Sequence, residues 1–289
     1  MMQQYISSPK RTSEILSQYG IRLRKGLGQN YMIDTNSIKK MVSLAGIEKG
    51  EPIMEIGSGI GSLTEILLEA GAGKVICIEI DRKVAGAFRD LFRNQLGAGK
   101  VGLMVIDAMD IDYEELCNKH SIKKIVSNLP YKVAAPLMLK ILLEASEVEY
   151  FLATIQKDIA DRMLAKRGDK NYSSYTVKSN LLAEHKSCFK VSRNCFIPRP
   201  FVDSVVLEAK AKSLPEGFKK HETQDFFDLV NSSFLHRRKK MLNSLALDKR
   251  YVQKTGKIEE LLLGLDKEPG VRAEDLTLED FIHIYKNIR

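Results

Sequence analysis

The spacing of apolar and polar residues changes character along the chain, and the changes predict its elements. From about residue 34, helical and strand-like spacing alternate. Asp34 can cap a helix whose apolar positions Ile38, Met41, Val42 and Ala45 share one face, and Gly46 can end it. "PIMEI" (52–56) reads as a short buried strand, and "LTEILLEAG" (63–71) as a helix that stops at glycine. "KVICIEID" (74–81), "VGLMVID" (101–107), "IKKIVSN" (122–128) and "EYFLATIQ" (149–156) are further apolar runs of strand length. Apolar strands separated by helical segments predict an α/β fold, a parallel sheet covered on both faces. "HKSCFKV" (185–191) and "VDSVVLEAK" (202–210) read as later strands, antiparallel at the sheet edge. After residue 212 the spacing is helical throughout. "TLEDFIHIYKNI" combines a Thr277/Asp280 capping box with a stripe of Phe281, Ile284 and Ile288. This predicts a sheet domain over 1–212 and a small all-α domain over 213–289.

Composition narrows the class. A chain of 289 residues with 44% hydrophobic content can bury a large core and a second, smaller one. No apolar run approaches the ~18–20 residues that span a bilayer, and the N-terminal stretch lacks the apolar centre of a secretion signal. A soluble cytoplasmic protein is expected. Cys77, Cys117, Cys188 and Cys195 have no CxxC spacing and read as buried reduced thiols. The five histidines form no metal-binding pair, so no metal is expected.

The net charge of +8 is unevenly spread. Residues 151–200 hold ten Lys/Arg against four Asp/Glu, whereas residues 41–150 hold twelve against sixteen. The basic excess lies outside the predicted sheet core, an arrangement that favours a polyanion such as RNA or DNA.

The candidate chemistry sits at strand ends. "EIGSGIGS" (55–62) follows the first strand and opens a helix. Its spacing is GxGxG, with Ser62 where a dinucleotide fingerprint has its last glycine, and no lysine follows as in a P-loop. Glu55, Glu79 and Asp107 put three acids around the loop. They would repel a pyrophosphate and suit a cationic nucleoside, S-adenosylmethionine, with Glu79 on the ribose hydroxyls and Asp107 on the adenine amine. "SNLPYK" (127–132) ends the fourth strand beside that pocket. The Asn128 side-chain carbonyl and the Pro130 backbone carbonyl can accept from an exocyclic amine, and Tyr131 can stack on its base.

The "NLPY" motif after a GxGxG loop resembles that of adenine-N6 methyltransferases. "GLGQNYMID" (26–34), "DAMD" (107–110), "SNLPYKVAAPLM" (127–138), "FIPRPFVDSVV" (196–206), "FLHRRKKMLNSL" (234–245) and "RAEDLTLEDF" (272–281) together resemble the small-subunit ribosomal RNA dimethyladenosine transferase family. The likeness runs from about residue 20 to the end. It implies a Rossmann-like methyltransferase domain and a small helical domain. It also implies transfer of four methyl groups from S-adenosylmethionine to two adjacent adenines of 16S rRNA, in the small subunit or its precursor. No feature of the sequence demands more than a monomer. Carried over by position, cofactor contacts fall on Asn30, Met32, Gly57, Glu79, Asp107 and Asn128. Asn128, Pro130 and Tyr131 fall at the reacting amine, with Phe196 as a second aromatic near the base. The chain departs from the family at Tyr31-Met32, usually Phe-Leu, at Ser58, usually Pro, and at Lys132, usually Asn. RNA contacts are expected on a helix carrying Arg237, Arg238, Lys239 and Lys240. A second set is expected on a basic N-terminal segment with Lys10, Arg11, Arg22, Arg24 and Lys25, which reads as mobile before RNA binds. Three other readings are a large-subunit rRNA methylase of the resistance type, an inactive nucleic-acid-binding factor and an NAD-dependent oxidoreductase. The first usually carries "NIPY", the second conflicts with intact Glu79, Asp107, Asn128 and Tyr131, and the third conflicts with Ser62.

Overall fold

The computed structural model describes residues 4–22 and 28–289. The expected RNA contacts Arg24 and Lys25 lie outside the described residues. The chain divides into two compact units, Met1–Ala160 with His185–Ala211, and Asp161–Glu184 with Lys212–Arg289.

The first unit is built on a sheet of β2 (Pro52–Ile56), β3 (Lys74–Glu79), β4 (Val101–Val105), β5 (Lys124–Asn128), β6 (Tyr150–Gln156), β7 (Ala183–Val191) and β9 (Ser204–Ala211). Their spatial order is β4-β3-β2-β5-β6-β9-β7. The first five are mutually parallel, and β9 runs antiparallel to β6. Four successive residues of β2, Ile53 to Ile56, are buried, so both faces of the sheet are covered. The covering helices include α2 (Thr35–Ala45), α3 (Ser62–Glu69), α4 (Arg82–Leu91), α6 (Tyr113–His120) and α7 (Ala134–Glu144). Strand order reverses between β2 and β5. Such a reversal leaves a crevice at the carboxyl ends of the two strands, and ligands bind there. A separate two-stranded ribbon pairs β1 (Tyr31–Met32) with β8 (Phe196–Ile197).

The described part of the N-terminal basic segment, up to residue 22, is more ordered than its charge suggests. Residues Pro9–Gln18 form α1, capped by the Ser8 hydroxyl, which accepts from the Arg11 N–H. Thr12 and Ile15 are fully buried, and the Ile6 N–H donates to Glu65 at 2.9 Å. Lys10 and Arg11 therefore belong to a packed helix rather than a mobile arm. The thiols also divide: Cys77 and Cys117 are buried as expected, while Cys188 and Cys195 are only partly covered.

The second unit holds α9 (Ser174–Leu182), α10 (Thr223–Ser233), α11 (Met241–Leu245), α12 (Thr255–Gly264) and α13 (Leu278–Ile288). Its core is aromatic, with Phe234 stacked on Phe281 at 5.9 Å and Phe218 edge-on to Phe226 at 5.5 Å. Residues 161–184 group here although the expected division gave them to the sheet domain. The cause is packing: α9 lies against α10 and α13, and the buried Tyr172 hydroxyl donates to the Leu276 carbonyl at 2.8 Å. The capping box of α13 forms as read, Thr277 and Asp280 each bonding the other's backbone N–H.

The expected basic helix over 236–240 is instead a turn. Helix α10 stops at Ser233; its C-cap residue Phe234 stacks on Phe281, and the Ser233 hydroxyl bonds the Leu229 carbonyl. Arg237 pairs with Glu274 at 2.8 Å and also donates to the Lys170 carbonyl. Arg238, Lys239 and Lys240 are exposed, with no ion pair among the described residues.

Candidate active site

The crevice at the β2/β5 reversal is lined by the glycine loop, by Asn30 to Met32, by Glu79 and Asp107, and by Asn128 and Pro130. One cavity therefore gathers every cofactor contact expected from the sequence.

The loop is shaped by what touches it. Gly57 has a φ of +72°, and a β-carbon there would come within 3.0 Å of the Pro130 ring. Gly61 has a φ of +91°, and a β-carbon would lie 2.1 Å from the Phe92 ring, which stacks on Phe88. Glycine is thus required at one place for approach to the "NLPY" segment and at the other for packing.

Glu79 does more than face the cleft. Its two carboxyl oxygens accept the N–H groups of Gly59 and Asp81, each at 2.9 Å. Burial raises its pKa, and the backbone N–H bonds pull the other way. Asp107 Oδ1 accepts the Met109 N–H at 2.9 Å and caps a short 3₁₀ turn. Each acid therefore holds its own strand end and still borders the crevice.

Glu55 behaves differently from the expectation of a third negative charge. It is fully enclosed, accepts from the Thr64 hydroxyl at 2.5 Å, and burial pushes its pKa up to about 8. Burial therefore favours its neutral form, the same direction in which burial moves Glu79.

Asn128 is the central observation. Its Nδ2 donates to the Asn30 carbonyl at 2.9 Å, which fixes the amide orientation. Its Oδ1 is buried and has no partner. Three buried hydroxyls, those of Tyr31, Ser58 and Ser62, also lack partners and border the same cavity. Buried polar atoms are nearly always satisfied, and leaving one unsatisfied costs about 1–3 kcal/mol. Four around one crevice fit a polar ligand that completes them. Two of the four, Tyr31 and Ser58, stand where the chain departs from the family pattern.

Beyond Asn128 the chain turns tightly. The Pro130 carbonyl accepts the Val133 N–H at 3.1 Å, which fixes its direction and leaves it a second lone pair. The Tyr131 hydroxyl shares a 2.5 Å hydrogen bond with Ser204, and burial pushes its pKa up to about 12. The Phe196 ring is 2% exposed and meets Tyr131 edge-on at 6.3 Å. Neither ring is among the residues that line the crevice. Lys132 is exposed at the lip. Of the described basic residues of the first unit expected to meet RNA, Lys10, Arg11 and Arg22, none lines this cavity, and Arg22 is exposed.

Sequence reasoning missed the partnerless hydroxyls, because burial without a partner has no signature in a residue string. It also missed the clamp of Glu79 on Gly59, which the GxGxG spacing and an acid ending the next strand could have suggested.

No helix among the described residues is long and apolar enough to cross a membrane, and none of their His, Cys, Asp or Glu side chains cluster as a metal site.

The family model described as ribosomal RNA adenine dimethylase matches residues 20–288. A relative from Geobacillus sp. (strain WCH70), "Ribosomal RNA small subunit methyltransferase A", is 36% identical over 97% of this chain and 96% of its own. One of the same name from Alkaliphilus oremlandii is 33% identical over 98% of both. Among solved structures, a dimethyladenosine transferase from Plasmodium falciparum superposes with a TM-score of 0.69 at 25% identity, covering 87% of this chain and 94% of that one. The 23S rRNA methyltransferase ErmE superposes with a TM-score of 0.62 at 21% identity, over 88% and 98%, which shows a shared fold.

Proposed function

Since the chain belongs to the ribosomal RNA adenine dimethylase family, we propose that it uses this crevice to dimethylate two adjacent adenines of 16S rRNA at their exocyclic amines. S-adenosylmethionine is the methyl donor. When bound, it supplies an electrophilic methyl group on a sulfonium sulfur. The observation that carries the reading is the buried, oriented and partnerless Oδ1 of Asn128.

The chain's own residues divide the work. Asn30, Met32, Gly57, Glu79 and Asp107 form the donor's wall, where two carboxylates favour a cation. Asn128 Oδ1 and the Pro130 carbonyl accept the two N–H bonds of the adenine amine. That arrangement turns the nitrogen lone pair toward the donor side. The same two dipoles face the positive charge that grows on nitrogen during transfer, so they stabilise the transition state more than the ground state. A strong base is unnecessary, because the nitrogen becomes acidic once alkylated. Tyr131 stacks on the base, and Phe196 and Ser204 hold its ring and hydroxyl. An adenine in a helix must first leave the stack, at a cost of about a few kcal/mol.

Arg238, Lys239 and Lys240 suit phosphate contacts, because they are exposed and uncommitted to ion pairs. Arg237 has a structural partner in Glu274 and is the weaker candidate. Arg22, Arg24 and Lys25 complete the proposed RNA-facing set. The working unit is a monomer on the small ribosomal subunit or its precursor.

The test is methyl transfer from labelled S-adenosylmethionine to small subunits lacking the modification, with large-subunit RNA as control. Label confined to the small subunit is expected. Label in large-subunit RNA would favour the resistance-type activity. Donor binding without transfer would mean a protein that keeps the pocket and lacks the chemistry.

A further inference from the structure

Phe201, in the loop between β8 and β9, is 91% exposed, and Val202 beside it is also exposed. The loop is nonetheless pinned. Arg193 donates to the Phe201 carbonyl at 3.4 Å, Asp203 Oδ1 accepts the Arg193 N–H at 2.9 Å, and the Asp203 carbonyl accepts the Lys157 N–H at 3.1 Å.

Single exposed apolar residues are common, so exposure alone decides nothing. Position decides. Phe201 lies three residues before Ser204, the residue whose hydroxyl bonds Tyr131 at 2.5 Å. Three residues of chain span at most ~11 Å. Ser204 pairs with Gln156 at the carboxyl end of β6, on the sheet edge where the crevice opens. The ring therefore stands at the rim beside the acceptor position, on backbone that neighbouring residues hold. Two arginines, Arg193 and Arg199, are exposed on this stretch against one exposed acid, Asp203.

We propose that Phe201 is a stacking platform for an unpaired RNA base next to the acceptor adenine. The inference rests on the rRNA reading above. A flat ring flanked by arginines matches how single strands are held, bases stacking on aromatics while cations track phosphates. A protein partner is disfavoured, because it would have to desolvate those two guanidinium groups to cover one ring.

The chain contains no tryptophan, so Phe201→Trp introduces a single indole at this place. Its emission should be quenched when protein-free, unmethylated 16S rRNA is added. In transfer assays with small subunits, Phe201→Ala should raise KM for the subunit roughly ten-fold. Its maximal rate, donor affinity and melting temperature should stay at parental values, and Phe201→Tyr should restore KM. An unchanged KM in Phe201→Ala overturns the proposal. So does a fall in rate without a change in KM, which would make the ring a support for Tyr131. An indole insensitive to protein-free RNA, with KM for subunits still raised, would assign the ring to a protein contact and also overturn it. Failure of the parental chain to label any rRNA would remove the functional reading itself, and is seen before any variant is made.

Discussion

Residues 127–133 and 234–240 are both short polar stretches that stand out in the sequence, and the structure treats them in opposite ways. In the first, polar atoms are buried and fixed by backbone bonds, and one strong acceptor is left open. In the second, Arg238, Lys239 and Lys240 lie in solvent, Arg237 is committed to Glu274, and His236 is half-buried. An amide held rigid with an empty acceptor implies a defined ligand atom. A run of exposed charge implies only a polyanion somewhere nearby. The first kind of feature carries mechanism, and the second carries affinity.

The predictions sharpen that contrast, and the largest effect is expected at the first stretch. Asn128→Ala should lower single-turnover transfer by roughly 100- to 1000-fold, the range seen when one oriented transition-state group is removed. Far-UV circular dichroism should remain parental. Retained turnover would remove Asn128 from the chemistry.

Glu79→Ala should weaken S-adenosylmethionine binding in calorimetry by roughly ten-fold or more, and also lower the melting temperature, because it strands the Gly59 and Asp81 N–H groups. Unchanged affinity would place the ribose site elsewhere.

Tyr31→Phe removes one partnerless buried hydroxyl. It should raise the melting temperature without donor and shrink the further rise that donor causes. A loss of stability without donor would mean that the hydroxyl is already satisfied in the free protein.

Glu55 gives a pH test. Its folded pKa, about 8, lies above the ordinary value of 4.5, so the unfolded chain loses its proton first. The unfolded state then binds fewer protons, and this group's contribution makes stability fall as pH rises from 4.5 toward 8, then level off. Glu55→Gln should flatten that part of the denaturant-midpoint profile. A profile identical to the parent's would mean that Glu55 is ionised in the fold.

The smallest effect is expected at the second stretch. Arg238→Glu should weaken RNA binding uniformly across sequences and reduce the slope of log affinity against log salt by about 1. Arg237→Glu should add only a small loss of stability, up to about 1 kcal/mol, from the exposed pair with Glu274. An unchanged salt slope in Arg238→Glu would take this turn off the RNA.

The contrast also explains what was legible in the sequence. The strands β2, β3, β4 and β6 are largely apolar runs, so they and the glycine loop could be read directly. So could the strand-end acids and the acceptor motif, whose residue types are unusual at a strand end. The basic run was misread as helix because no glycine or proline marks the end of α10, where the Phe234 ring meets Phe281 in a tertiary contact that a residue string does not display. The ordered α1 was hidden for a similar reason, since Thr12 and Ile15 become core only when the rest of the unit covers them. Glu55 was read as a charge because its enclosure depends on neighbouring strands and on Thr64.

The most direct test of the central claim is the chemical identity of the product. Small-subunit RNA labelled by the parental protein would be digested to nucleosides and analysed by mass and chromatography. The account predicts N6,N6-dimethyladenosine, two methyl groups on one exocyclic amine, at two adjacent positions. Label on a ring nitrogen, a ribose hydroxyl or another base would contradict it, because the open acceptors of Asn128 and Pro130 would then face no amine.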